Sequence, residues 1–238
     1  VLLGQEGANR TKKTDSPLAG PGKNESSTSE EKPDNYLDVI HFSRKAEKYK
    51  DINLKDIQLL NVVITNFGDK VQGAKEALNA IKEDYRVALR HYYKREMFLS
   101  GKKMERLHFK IVELFGNMSN YYETRADDLL TQCADAIVTI QQNEQLNNID
   151  TEKVRLVYSN EHKLKIAYFQ MGMAEKNKRD LQFKQSIVHY RLAKEYGILV
   201  LTNLSQNEET KKKILENYKI DNIDNRNQGQ DQVATPTK

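Results

Sequence analysis

Few side chains in this sequence stand at spacings that do chemistry, and each has a bland reading beside the reactive one. Glu105 and His108 are three residues apart in "ERLH", a spacing that puts a carboxylate and an imidazole on one helix face. A two-metal bundle site needs such a pair on each of two helices, and only this pair fits. His91 is expected to lie across a hairpin from His108, which leaves either a stray zinc site or two solvent-facing histidines; solvent-facing histidines are the default. Cys133 is the sole cysteine, which excludes an internal disulfide. Its helical spacing from Leu129, Leu130, Ile137 and Ile140 reads as a small core residue. No Gly-x-Ser-x-Gly elbow is present, and the glycines at 68, 73, 101, 116, 172 and 197 are isolated, so no nucleophile elbow or phosphate-binding loop is built. No catalytic residue, metal or cofactor is expected, and the chain reads as non-enzymatic.

A second chemistry is electrostatic. Arg90, Lys94, Arg95, Lys102, Lys103 and Arg106 cluster with Tyr92 and Tyr93 and are opposed by Glu96 and Glu105. Placed at the tip of a hairpin, such a patch could bind the phosphates of nucleic acid or of an anionic membrane surface; the plainer reading is a solvated face. The formal net charge of +4 over 238 residues is less than a dedicated DNA-binding domain carries, so nucleic acid is the lesser expectation. No apolar run approaches the roughly 20 residues that cross a bilayer, and the mean hydropathy is −0.78. The chain opens on Val1 rather than Met, which is read as trimming or processing, with a membrane anchor expected ahead of it.

These residues must be held by helices. All four prolines lie at 17, 21, 33 and 236, and the proline-free stretch between, rich in Leu, Ala, Lys, Glu and Gln, predicts helix throughout. Residues 1–34 lack aromatics and hold nothing apolar after Ala19, so a disordered spacer is expected there; the same reading applies to 221–238. Residues 35–149 read as an N-terminal helical domain. It opens with two short helices, "NYLDVIHFSRKAEKY" and "LKDIQLLNVVITNF", the second closed by Gly68 in a left-handed cap. Two heptad seams follow. One is Val71, Ala74, Leu78, Ile81, Tyr85, Ala88 and Tyr92. The other is Met104, Leu107, Ile111, Leu114, Met118 and Tyr121, continuing through Leu129, Cys133, Ile137 and Ile140 with a bend near Gly116. A turn at "LSGKK" would fold them into an antiparallel hairpin, and self-association through the seams is a further possibility. Residues 150–220 read as a helical hairpin, opened by a cap at Asp150 or Thr151, with a last helix started by a Ser205–Glu208 capping box. The expected class is all-α: antiparallel hairpins in a bundle, with a C-terminal capping helix.

The hairpin from Ala167 to Gly197 resembles a tetratricopeptide repeat. Tyr168, Met171, Gly172 and Ala174 stand where that family's first helix carries a large apolar residue and small ones. Phe183, Ser186, Ile187, Tyr190 and Ala193 follow the aromatic, small, apolar, aromatic, small succession of its second helix. The sequence departs from the family at Glu175, at Ile198 and in a longer turn. Small residues let two helices approach closely while large ones fill the space beside them. The resemblance implies a concave face on the first helix that binds a peptide or partner domain, at Phe169, Met173, Lys176 and Asn177. The alternative is that Phe169 and Met173 pack under a neighbouring helix.

In composition, rich in Lys, Asn and Ile and lacking Trp, the chain is similar to the small repeat-containing envelope proteins of Borrelia-type spirochaetes. That likeness implies a scaffold or adaptor in a cell-envelope complex that supports infection, tethered on the periplasmic side, with a cytoplasmic location as the alternative. The expected partner is another protein, envelope-associated, and the competing function is phosphate binding through residues 90–106.

Overall fold

The structure, a computed structural model, describes residues 33, 35–146, 151–205 and 207–226, the side chains of 143–146 excepted. The spacer expected over 1–34 falls, Pro33 apart, outside the described residues, as do 227–238 and the candidate cap Asp150. The described residues form seven α-helices and one short 3-10 turn and contain no strand, an all-α bundle.

Helix α1 (Tyr36–Phe67) starts at Asn35, whose side chain accepts a hydrogen bond from the Asp38 amide at 2.9 Å. It is one helix where two were expected. The polar stretch around Asn53 does not break it, because the buried Asn53 side chain bonds across to another helix rather than to its own backbone. Its Nδ2 donates to the Met104 carbonyl at 2.9 Å, and His108 Nδ1 donates to its Oδ1 at 3.0 Å. Gly68 is not the left-handed cap; it is right-handed (φ −60°) and begins a 3-10 turn to Lys70. The left-handed residue is Gly73 (φ 74°), which precedes α2 (Ala74–Tyr93).

The α2–α3 connection also lies elsewhere than expected. The chain turns at Lys94–Glu96, with Arg95 left-handed (φ 63°), and α3 (Met97–Leu146) has begun before "LSGKK". Gly101 is helical and marks a crossing: a Cβ there would lie 2.0 Å from the Phe42 carbonyl oxygen of α1. Helix α3 is continuous through Gly116 for 50 residues, about 75 Å at ~1.5 Å per residue. It is the spine, with α1 and α2 packed along its first part and α4 (Thr151–Arg179) and α5 (Phe183–Leu204) along its second.

Most positions of both seams are buried: Ala74, Leu78, Ile81, Tyr85 and Ala88 on α2, and Met104, Leu107, Ile111, Leu114, Met118, Leu129, Cys133 and Ile137 on α3, with Val71, Tyr92, Tyr121 and Ile140 half-buried. They meet within one chain, so pairing between copies through these seams would require them to leave the core. A single apolar cluster runs from Ile57 on α1 to Tyr218 beyond α6, crossing the boundary expected at 149/150. Small residues bring α3 and α5 together: Ser119 and Ser186 share a buried hydrogen bond of 2.8 Å, and a Cβ on Gly197 would stand 2.9 Å from Leu129.

The C-terminal part differs most from expectation. Helix α6 (Glu208–Asn217) is capped by Asn207, whose Oδ1 accepts from the Glu209 amide at 3.0 Å, and Ser205 instead ends α5. Residues 221–226 are not a tail: they belong to α7 (Lys219–Arg226), packed on α5 and α1. Apolar content did not reveal this helix because ion pairs hold it.

Candidate docking surfaces

Helix α4 presents Phe169, Met173 and Lys176 at i, i+4 and i+7, one stripe of an α-helix. Its opposite side, Leu164, Ala167, Met171 and Ala174, is buried. Phe169 is 64% exposed, Lys176 is exposed, and Met173 and Asn177 are half-buried. Tyr158, three turns before Phe169 on the same stripe, is 66% exposed. Of the repeat-like positions, Met171, Ala174, Ser186, Ile187, Tyr190 and Ala193 are buried. Gly172 is exposed, and a Cβ there would meet nothing within 4 Å, so it does not serve close helix approach.

The α4–α5 turn adds features that pattern reading missed. Leu181 is left-handed (φ 58°), a strained conformation for a branched side chain, and is 70% exposed. It lines a shallow cleft of about 550 Å³ with Glu123, Glu175, Lys178, Arg179 and Phe183, in which Lys178 pairs with Glu123. On α5 the Tyr190 hydroxyl is buried without a hydrogen-bond partner, and burial, with the Glu123 carboxylate acting in the same direction, pushes its pKa up.

The basic tip is laced with acid and aromatics. Arg90, Lys94 and Arg95 are exposed at the turn, while Lys102, Lys103 and Arg106 lie along α3. The Lys102 ammonium stands 5.1 Å and 5.8 Å from the Phe98 and Phe42 ring centres. Glu105 pairs with Lys45 at 2.5 Å, His91 Nδ1 meets Glu96 at 2.5 Å, and the Tyr92 hydroxyl donates to Glu47 at 2.6 Å. His91 and His108 therefore engage different partners. Among the described residues no group of three His, Cys, Asp or Glu could hold a metal ion. Cys133 is core: its Sγ donates to the Gly197 carbonyl at 3.2 Å, and burial pushes the thiol up to about 12.

The densest polar arrangement lies where no site was expected. Arg191 and Lys194 on α5 are fully buried and meet Asp224 and Asp221 on α7, also fully buried. Arg191 grips Asp224 with two hydrogen bonds, of 2.9 and 2.7 Å, the fork geometry of guanidinium on carboxylate. The Tyr122 hydroxyl and Asn66 amide donate to the same carboxylate at 2.6 and 2.9 Å. Lys194 donates to Asp221 at 2.8 Å, and Arg125 donates to it from α3 at 2.8 Å. Both pairs are spaced i,i+3 and the first cation meets the second carboxylate, so α5 and α7 run antiparallel. Lys194 also lies 4.4 Å and 4.7 Å from the Tyr122 and Phe67 ring centres. Burial would raise the Asp221 carboxyl, but Lys194 and Arg125 outweigh it and hold the group below its ordinary value. The available signal was in α5: two cations on the stripe that also carries Ile187 and Ile198.

Among the described residues no helix is long and apolar enough to cross a membrane. The chain matches no protein-family model, no curated protein and no solved structure.

Proposed function

We propose that the chain is a non-enzymatic helical module that binds another protein through the C-terminal half of α4. The observation that carries this reading is Phe169, 64% exposed on a helix whose other side is buried. Tyr158 extends its stripe, and Leu181 stands exposed and strained at the turn that follows. Exposed aromatic and methionine side chains are the types enriched at interface centres, and Lys176 and Asn177 beside them suit the polar rim. The partner in this reading is an envelope-associated protein, on the likeness in composition to spirochaetal envelope proteins. Phosphate binding at residues 90–106 has less support, because Glu47, Glu96 and Glu105 are interleaved with the cations and Lys102 packs over two rings.

The test is capture from source-cell envelope extract by wild type and by a Phe169→Ala, Met173→Ala, Lys176→Ala triple variant of equal folded content. A partner retained by wild type and lost by the variant, with little change between low and high salt, supports the α4 surface. Capture that survives the variant and falls steeply with salt contradicts it in favour of the basic tip.

A further inference from the structure

Helix α7 is inverted relative to an ordinary amphipathic helix. Its buried residues are Asp221, Asp224 and Asn225, while Ile220 and Ile223 are exposed. The helix before it, α6, buries no residue. Beyond Ser205 the segment is attached to the body through Ile214, half-buried against the core, through the buried Tyr218, whose hydroxyl donates to Gln132 at 3.0 Å, and through the two carboxylates. The surface beneath α7 supplies three cations, Arg125, Arg191 and Lys194, with the Tyr122 hydroxyl and the Asn66 amide. Two carboxylates against three cations leave it with a net positive charge.

The fit of α7 leaves one amide unmatched: Asn225 is buried, and neither its Oδ1 nor its Nδ2 has a hydrogen-bond partner in the protein. An Asp-x-x-Asp helix with an apolar residue in the next position would satisfy the same donors and lose that mismatch.

We propose that the surface formed by Arg125, Arg191, Lys194, Tyr122 and Asn66 is a binding site for an acidic helical segment of another protein, and that α7 occupies it as an intramolecular stand-in. The site is separate from the α4 surface and does not depend on it. Binding proceeds by exchange: the C-terminal arm leaves, its carboxylates return to water, and the incoming carboxylates take the same donors.

The test uses the full chain with a sequence-specific protease site inserted after Ser205, cleaved after folding so that the arm is present but no longer covalently held. The probe is a fluorescent peptide spanning residues 213–226 with Asn225→Leu, followed by anisotropy. Saturable binding is expected, with displacement of the native arm seen by gel filtration. Asp221→Asn and Asp224→Asn in the peptide should weaken binding by at least about tenfold. In parallel, excess unlabelled peptide is added to the uncut chain, and faster hydrogen exchange at 219–226 is expected. Binding that ignores both Asp→Asn changes, or no exchange of peptide for arm in either preparation, would overturn the proposal. A concentration-dependent dimer that exchanges arms without peptide would overturn it in favour of a second copy as occupant.

Discussion

A buried amide with no partner for either polar atom loses its hydration without compensation. Asn225 is in that position, and Asn225→Leu is expected to raise stability by about 1–2 kcal/mol. Chemical denaturation measures this; a loss of stability would mean that the amide is satisfied. The buried Cys133 and Tyr122 contribute to the alkaline limit, as does Tyr190, whose hydroxyl burial also pushes up. Burial pushes the Cys133 thiol from 9.0 to about 12 and Tyr122 well above 10.0. A group whose folded pKa is raised adds stability below its unfolded pKa and loses it as pH rises through the folded value. Stability should therefore fall from about pH 9 upward, and Cys133→Ala should flatten the part between about 9 and 12. Denaturation midpoints across that range decide it; identical profiles for both proteins would contradict the account.

Helices make different demands on their small residues. Gly101 lies where α1 and α3 cross, with the Phe42 carbonyl oxygen 2.0 Å from a virtual Cβ. Gly101→Ala must push backbone from backbone and should cost about 3 kcal/mol or more. Gly172 faces open space on α4, so Gly172→Ala should stabilise by about 1 kcal/mol through helix propensity alone. Thermal melts of the two variants should move in opposite directions, and a destabilising Gly172→Ala would restore a packing role to that residue. The same contrast shows what was legible in the sequence. Periodicity located the α2 and α3 seams, the α4–α5 hairpin and the core position of Cys133, because apolar burial leaves a 3.6-residue signature. It misread Gly101 as part of a turn and left residues 50–53 between two helices, since a crossing contact and the interhelical hydrogen bond of Asn53 leave no local trace. Of the candidate site, the α4 stripe was legible as a pattern. The strained Leu181 and the unpartnered Tyr190 hydroxyl were not, because both depend on tertiary placement.

At the scale of the molecule, a helical body is joined to an arm held by charge. Buried ion pairs are weak sources of net stability, because desolvation offsets most of the Coulomb attraction, yet they specify register. Here two cations and two carboxylates at matched spacing fix which face of α7 meets α5. The sequence placed part of this arm, from Asp221, in a tail for the same physical reason: a helix anchored by aspartates looks like solvent-facing chain when judged by apolar content. Helix α7, whose buried residues are all polar, should open below the free energy of global unfolding.

The central claim is that this arm detaches while the body stays folded, and native-state hydrogen exchange on the full chain tests it most directly. Amides of 219–226 are predicted to exchange through an opening that leaves the α3 and α5 cores protected, and Asp224→Asn is predicted to speed exchange at 219–226 far more than in those cores. Exchange at 219–226 no faster than in the cores of α3 and α5, in wild type and variant alike, would contradict the account and make α7 an integral part of the bundle.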